Sequence, residues 1–174
     1  MANINVKVKR LHPDAVLPKK AHTDDAGFDL VAVEDALINP GETVLVKTGL
    51  AFELPPGYEM QIRPRSGVTL KTKLRVQLGT VDANYRGEVG VIVDNTSDRD
   101  ATYSPCDITG ETVLNSGGQS IYSTYLIRKG DRIAQAVIQR LPSVEMIEVD
   151  GLGDSDRGAG GFGSTGVREA DKND

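Results

Sequence analysis

What this sequence lacks narrows its chemistry before any motif is read. It carries one cysteine, Cys106, so no disulfide can close within the chain and a reducing compartment is expected. Of its two histidines, His12 and His22, neither has a partner at zinc-ligand spacing. Tryptophan is absent, and there are only three phenylalanines and five tyrosines. Basic residues are not in excess: 20 Lys and Arg stand against 25 Asp and Glu, a net charge of −5. A binder of DNA or RNA needs a basic face that neutralises many phosphates, so polymeric nucleic acid is not the expected ligand. A small anion stays compatible, because a few local arginines suffice for one. No apolar run approaches the ~20 residues of a bilayer span, and no basic-then-apolar leader is visible. The expectation is a soluble, cytoplasmic protein without membrane contact.

What is present is a period of two. The 174 residues are enough for one domain with a working core. Ile4, Val6 and Val8 alternate with polar residues, as do Tyr58, Met60 and Ile62, and Leu74, Val76 and Leu78. Further β-rich runs lie at Val44–Thr48, Val89–Val93, Ile121–Ile127, Ile133–Ile138 and Val144–Val149. Turn signals such as NPGE, PPGY and NYRGE separate them. Many short strands with glycine and proline punctuation predict an all-β sandwich or jelly roll over residues 1–150. One short helix is expected just after Arg65-Ser66-Gly67, over Ser66–Lys73. Two segments break the rhythm. Asp94–Gln119 is rich in Asp, Ser, Thr, Asn and Gly, and reads as a long excursion out of the sheet. Residues 151–174 replace the strand pattern with glycines and charges, and are expected to form a flexible arm unless something pins them.

Several stretches hold residue types that bind anions or move protons. In IRPRSGVTLKTK, Arg65, Ser66 and Gly67 stand where a strand hands over to a short helix. A guanidinium, a hydroxyl and helix-terminal amides make an oxyanion clamp there, and the same tripeptide also reads as a plain capping turn. GTVDANYRGEVGV, Gly79–Val91, reads as a β-hairpin turning at ANYRG. Asp82 is placed to act as a general base on a water, and Tyr85 to lie flat on a sugar or base. Alternatively Asp82 makes an Asx turn and Tyr85 covers an apolar face. In RKGDRIAQAVI, Gln135 either donates to a phosphate oxygen or faces solvent on an edge strand. Asp24, Asp25 and Asp29 crowd TDDAGFDLVA and suggest a divalent cation, though not at EF-hand spacing. Finally, RGAGGFGSTG meets the dinucleotide spacing with Gly158, Gly160 and Gly163, yet VREADKND after it offers no helix of the kind that motif needs. Phe162 either anchors this arm or stacks on a planar ligand, while Arg157, Ser164, Thr165 and the glycine amides hold phosphates.

Taken in order, DAGFDLVA, PRSG, GTVDANYRGEVGV, RKGDRIAQ and RGAGGFGSTG resemble the five motifs of the homotrimeric dUTPase family, and the resemblance spans almost the whole chain. It implies a jelly-roll subunit of the trimeric dUTPase type, a homotrimer with three active sites, and hydrolysis of dUTP to dUMP and pyrophosphate with Mg²⁺. By matching positions, it implies that Asp82 activates the water that attacks the α-phosphorus. Arg65, Ser66, Gly67 and Gln135 would bind phosphates, joined by Arg157, Gly163, Ser164 and Thr165 from the arm. Gly79, Asn84, Tyr85 and Gly90 would read uracil and deoxyribose, Tyr85 excluding a 2′-hydroxyl, with Phe162 over the base. Asp29 would hold waters on the Mg²⁺ rather than the metal itself. The arm is implied to close over a site built from other subunits. A dCTP deaminase of the same fold is the nearest enzymatic alternative. Between the third and fourth motifs the chain is longer than compact members of the family, which implies an insert at about 94–125, and the alternative of another class is a nucleotide-sensing regulator that binds a protein partner through it. Inserts at this place resemble those of some bacteriophage dUTPases, a few of which bind bacterial repressors. A repressor partner, and the host cytoplasm for a phage-encoded chain, follow as implications.

Overall fold

A computed structural model of the chain describes residues 4–98, 104–113 and 123–160. It divides into two units, Met1–Ser143 and Val144–Asp174. Among the described residues the first holds eleven strands and one helix: β1 (Lys7–Arg10), β2 (Phe28–Val31), β3 (Ala36–Ile38), β4 (Thr43–Glu53), β5 (Tyr58–Pro64), α1 (Ser66–Lys71), β6 (Leu74–Val76), β7 (Gly79–Val81), β8 (Glu88–Asn95), β9 (Cys106–Asp107), β10 (Tyr125–Ile127) and β11 (Arg132–Arg140). Three open sheets result, ordered β1-β4-β8-β6, β2-β11-β5-β7 and β3-β10-β9. All pairings are antiparallel except β9 with β10. The architecture is the expected all-β, jelly-roll type.

The period-two pattern becomes burial. Along β8, Val89, Val91 and Val93 are buried while Ile92 faces outward. Leu30, Ile38, Leu50, Met60, Leu74, Ile127 and Ile133 are fully buried and join all three sheets in one core. Each such side chain contributes about 1.5–3 kcal/mol by leaving water. The helix is two residues shorter than expected. Thr72 ends it by donating both its amide (3.1 Å) and its hydroxyl (2.7 Å) to the Val68 carbonyl.

Four expectations need correction. Gly79–Val91 is not a hairpin: β7 pairs with β5, whereas β8 pairs with β4 and β6 in another sheet. Leu78, expected to continue the β6 pattern, lies outside both strands and is 77% exposed. Two strands joined by a turn look like a hairpin in sequence even when each prefers a different neighbour. Val144–Val149 forms no strand, and Val144, Met146, Ile147 and Val149 are exposed. Alternation there specifies a readiness to pair, not a partner. The excursion after Asp94 does not simply leave the sheet. β8 runs on to Asn95, and the chain returns as β9, parallel to β10, with Ile108 buried in the core. Fully buried Asn95 ties the insert's root, its amide donating to the carbonyls of Ile38 (2.9 Å) and Ser123 (2.8 Å). The strands β2 and β3 left no alternating signature, since Leu30 and Val31 are both buried.

Candidate active site

β11 is an interior strand, flanked by β2 and β5, so Gln135 does not lie on an edge. The register sets it opposite Asp29 on one side and Arg63 on the other. Residues in register share a face, so this row carries chemistry from three distant segments across one sheet. Arg65 follows just beyond the end of β5, at the N-cap of α1. Its Nε lies 3.0 Å from Asp29 Oδ1, and its Nη1 donates to the Arg132 carbonyl at 2.8 Å. Arg132 Nη1 reaches Asp29 Oδ2 at 3.1 Å. One carboxylate, 19% exposed, orients two guanidiniums without neutralising both. Gln135 Nε2 donates to the Pro64 carbonyl at 3.0 Å, and its side chain lies so close to Gly27 that a Cβ there would meet Oε1 at 2.5 Å.

Asp29, Arg65, Gln135 and Gly27 line a cavity of about 300 Å³ together with Ser66 and Gly67, and Arg132 reaches Asp29 from outside that lining. Ser66 and Gly67 open α1, where amides have no acceptor within the helix. A Cβ on Gly67 would meet nothing within 4 Å, so an incoming oxyanion has room beside its amide. A guanidinium, hydroxyl, carboxamide and amides converging on one polar cavity suit a phosphate chain.

The other candidates lie on the turn between β7 and β8. Asp82 follows β7 directly and is exposed. Tyr85 N donates to the Asp82 carbonyl at 3.1 Å, and the Tyr85 hydroxyl donates to the Glu88 carbonyl at 3.1 Å. Arg86 Nη1 donates to the carbonyls of Ala83 (2.6 Å) and Tyr85 (2.9 Å). The Tyr85 ring, 47% exposed, folds back over Gly87, where any Cβ would collide with its hydroxyl end. Asn84 is exposed and borders a different cavity, beside Lys7, Glu53 and Arg86. Gly79 packs on Ile62 and Gly90 yields to Leu45, so both glycines answer close approaches from neighbouring strands. Asp82, Asn84 and Tyr85 do not border the cavity that Arg65 and Gln135 line.

In the Val144–Asp174 unit, Arg157 Nε donates to the Gly160 carbonyl at 2.7 Å, and Gly158 N to Ser155 Oγ at 3.1 Å. Phe162, Gly163, Ser164 and Thr165 lie outside the described residues.

Sequence reasoning passed over Arg132, Gly27 and Gly87. Arg132 sits three residues before Gln135, but a register shift on β11 between Arg132 and Ala134 accompanies its contact with Asp29, and no sequence period marks that shift. The two glycines stood inside quoted motifs, where their need became visible only through the side chains folded over them.

For a divalent cation the donor set is specific. Both Asp29 oxygens already accept from arginines, Asp25 Oδ2 accepts from His22 N at 2.8 Å, and no three His, Cys, Asp or Glu gather among the described residues. These residues offer no protein-built cage, so a divalent cation at this cavity would have to bring most of its ligands with it.

Fold and cavity together define a jelly-roll protein built to hold a phosphate chain. The dUTPase family model matches residues 14–114 and 111–166, and the chain belongs to that family. It is 46% identical to the deoxyuridine 5′-triphosphate nucleotidohydrolase of Gloeothece citriformis over 166 residues, 94% of this chain and 98% of that one. Its fold is similar to a variant of the Staphylococcus bacteriophage 80alpha dUTPase with dUpNHpp: TM-score 0.89, 34% identity, 94% of this chain and 99% of that chain. The 80alpha protein is described among phage dUTPases that control transfer of virulence genes by a proto-oncogenic G protein-like mechanism. The dUTPase of phage phi11 of S. aureus, described with a structural Mg(II) ion, matches with TM-score 0.79 and 33% identity over 84% of this chain and 97% of that chain.

Proposed function

We propose that this chain hydrolyses dUTP to dUMP and pyrophosphate, with Mg²⁺ as cofactor. The observation that carries the reading is the row Asp29–Gln135 with Arg65 around one polar cavity, Arg132 bracing Asp29 beside it, in a chain of this family. Arg65, Ser66, Gly67 and Gln135 bind the phosphates, and Arg157, Gly163, Ser164 and Thr165 add to them from the arm. Asp82 accepts a proton from water as the water oxygen bonds to the α-phosphorus. The bond from that phosphorus to the α–β bridging oxygen breaks, and pyrophosphate leaves. Mg²⁺, bound with the triphosphate, supplies charge stabilisation for that leaving group, and Asp29 orients its waters. Tyr85 lies against the deoxyribose, Gly79, Asn84 and Gly90 frame uracil, and Phe162 covers it.

A homotrimer with sites shared between copies belongs to the same proposal: it rests on the resemblance to homotrimeric dUTPases, and the absence of Asp82 from the cavity that Arg65 lines is in keeping with it. Mixing Asp82→Asn chains with Arg65→Ala chains should restore part of the lost activity if subunits share sites, and none if each copy is self-sufficient. A cytoplasmic location belongs to the same proposal. Among the described residues no helix is long and apolar enough to cross a membrane.

The decisive assay offers dUTP, dCTP, dTTP and UTP with Mg²⁺ and follows pyrophosphate and ammonia separately. Pyrophosphate from dUTP alone is the expected result, and ammonia from dCTP would sink the reading in favour of a deaminase. For the insert, the burial of Ile108 and the pairing of β9 favour a structural elaboration. A bacterial repressor as partner is the second reading, favoured by the likeness to the 80alpha protein. A pull-down with the full chain as bait that recovers no such protein would retire it.

A further inference from the structure

Glu88 opens β8 and is half-buried. β4 and β8 pair at Lys47↔Gly90 and again at Ala51↔Glu88, so Thr48, Gly49 and Leu50 together face the single residue Val89. Such a bulge leaves backbone groups without ladder partners, and two side chains supply them. Thr48, fully buried, donates its hydroxyl to the Val89 carbonyl. Glu88 Oε1 accepts the Gly49 amide at 2.8 Å. Gly49 has φ +67°, and a Cβ there would lie 2.8 Å from His12 Cβ and 3.0 Å from Ala15 Cβ. The position admits only glycine, and its amide direction is held on every side. On the main-chain side, the Glu88 carbonyl accepts the Tyr85 hydroxyl at 3.1 Å. A single residue therefore joins the Tyr85 ring to a rigid point on the neighbouring strand.

We infer that Glu88 is a positioning residue for nucleoside selection: its carboxylate, moored on the Gly49 amide, holds the carbonyl on which the Tyr85 hydroxyl rests, and so sets the ring's place against the sugar. The inference rests on the reading of Tyr85 as the deoxyribose contact. Without the mooring, the start of β8 shifts, the ring gains freedom, and a 2′-hydroxyl finds room. The chemical step, which belongs to Asp82, is not addressed by this contact, so selectivity should move further than the rate on dUTP.

The test measures kcat and KM for dUTP and UTP in the full chain. Glu88→Ala should lower the dUTP-to-UTP ratio of kcat/KM about tenfold, the scale of one misplaced hydrogen-bonded group. The change should fall chiefly on KM for UTP, with kcat on dUTP altered less than the ratio. Glu88→Gln, which keeps an acceptor for Gly49, should restore most of the selectivity. Tyr85→Phe should move the ratio in the same direction, and the double variant should lose no more than the larger single, because both act through one contact. A ratio unchanged in Glu88→Ala beside a lowered melting temperature marks a merely structural glutamate and overturns the inference. Fully additive losses in the double variant overturn it too. Should Glu88→Ala fail to fold, Glu88→Asp, one carbon short of Gly49, carries the same comparison. A wild-type chain inert toward dUTP overturns the functional reading and this inference with it, whereas an active one whose ratio survives the substitution overturns the inference alone.

Discussion

The phosphate cavity and the Asp82–Glu88 turn are built by opposite means. In the cavity, Asp29 takes one guanidinium from the strand-to-helix junction and another from β11, and none of the three is a sequence neighbour of another. In the turn, the Tyr85 and Arg86 side chains bond within three residues of themselves, and only Glu88 reaches another strand. The difference matches the work proposed for each region. Holding a polyanion needs positive charge fixed in place and partly withdrawn from water, so that no reorganisation is needed on binding. A base that must meet water needs exposure and a defined direction, which a short turn supplies.

Substitutions should separate the two regions by kinetic signature. Asp82→Asn, in the turn, should cut kcat by about 10²–10⁴ while KM for dUTP changes little. Steady-state kinetics with a direct binding measurement checks this, and a variant at full rate would remove Asp82 from its role. Arg65→Ala, in the cavity, should cost less and act differently. Losing a charge-assisted contact of about 1.5–3 kcal/mol lowers kcat/KM by roughly ten- to a hundredfold, with a large share in KM. If its effect fell wholly on kcat, the contrast between the regions would fail. Gly87→Ala should leave the cavity untouched but push the Tyr85 ring outward, lowering dUTP-over-UTP selectivity a few-fold, about 1 kcal/mol at most.

The smallest effect is one of pH. Asp131 lies in the turn that leads into β11, and burial pushes its carboxyl above the ordinary carboxylate range. The Arg128 amide opposes that shift and the Asp107 charge adds to it. The folded protein therefore holds this proton more tightly than the unfolded chain does. The resulting stability is full below the ordinary carboxylate pKa of about 4 and is lost as pH rises through the folded value. Melting temperatures of wild type and Asp131→Asn between pH 4 and 6 should diverge in that sense, since asparagine still accepts the Arg128 amide. Parallel curves would contradict it.

The all-β class and the helix after Arg65 were legible because each rests on local pattern, and Asp29, Arg65, Ser66, Gly67 and Gln135 each stood out in a motif, whereas their meeting at one cavity with Gly27 did not. Gln135 illustrates the limit. Its residue type allowed a phosphate contact or an edge position, and only β2 and β5 closing on either side of β11 removed the edge position. Leu78 and Val144–Val149 illustrate the converse, apolar alternation that ends in exposure because no strand among the described residues takes it up. Ile108 was hidden in a polar stretch, since one buried residue makes no period.

By itself, the sequence determined which segments prefer extended backbone, where turns fall, and which side chains are available for acid–base and phosphate chemistry. Those are properties of single residues and their near neighbours. The tertiary structure decided that Gly79–Val81 and Glu88–Asn95 part into different sheets, that Arg132 joins Arg65 on Asp29, and that Glu88 anchors on the Gly49 amide. Register, bulges and close approaches between distant strands are set by the packing of the whole core, and that sum is not carried by any one stretch of chain.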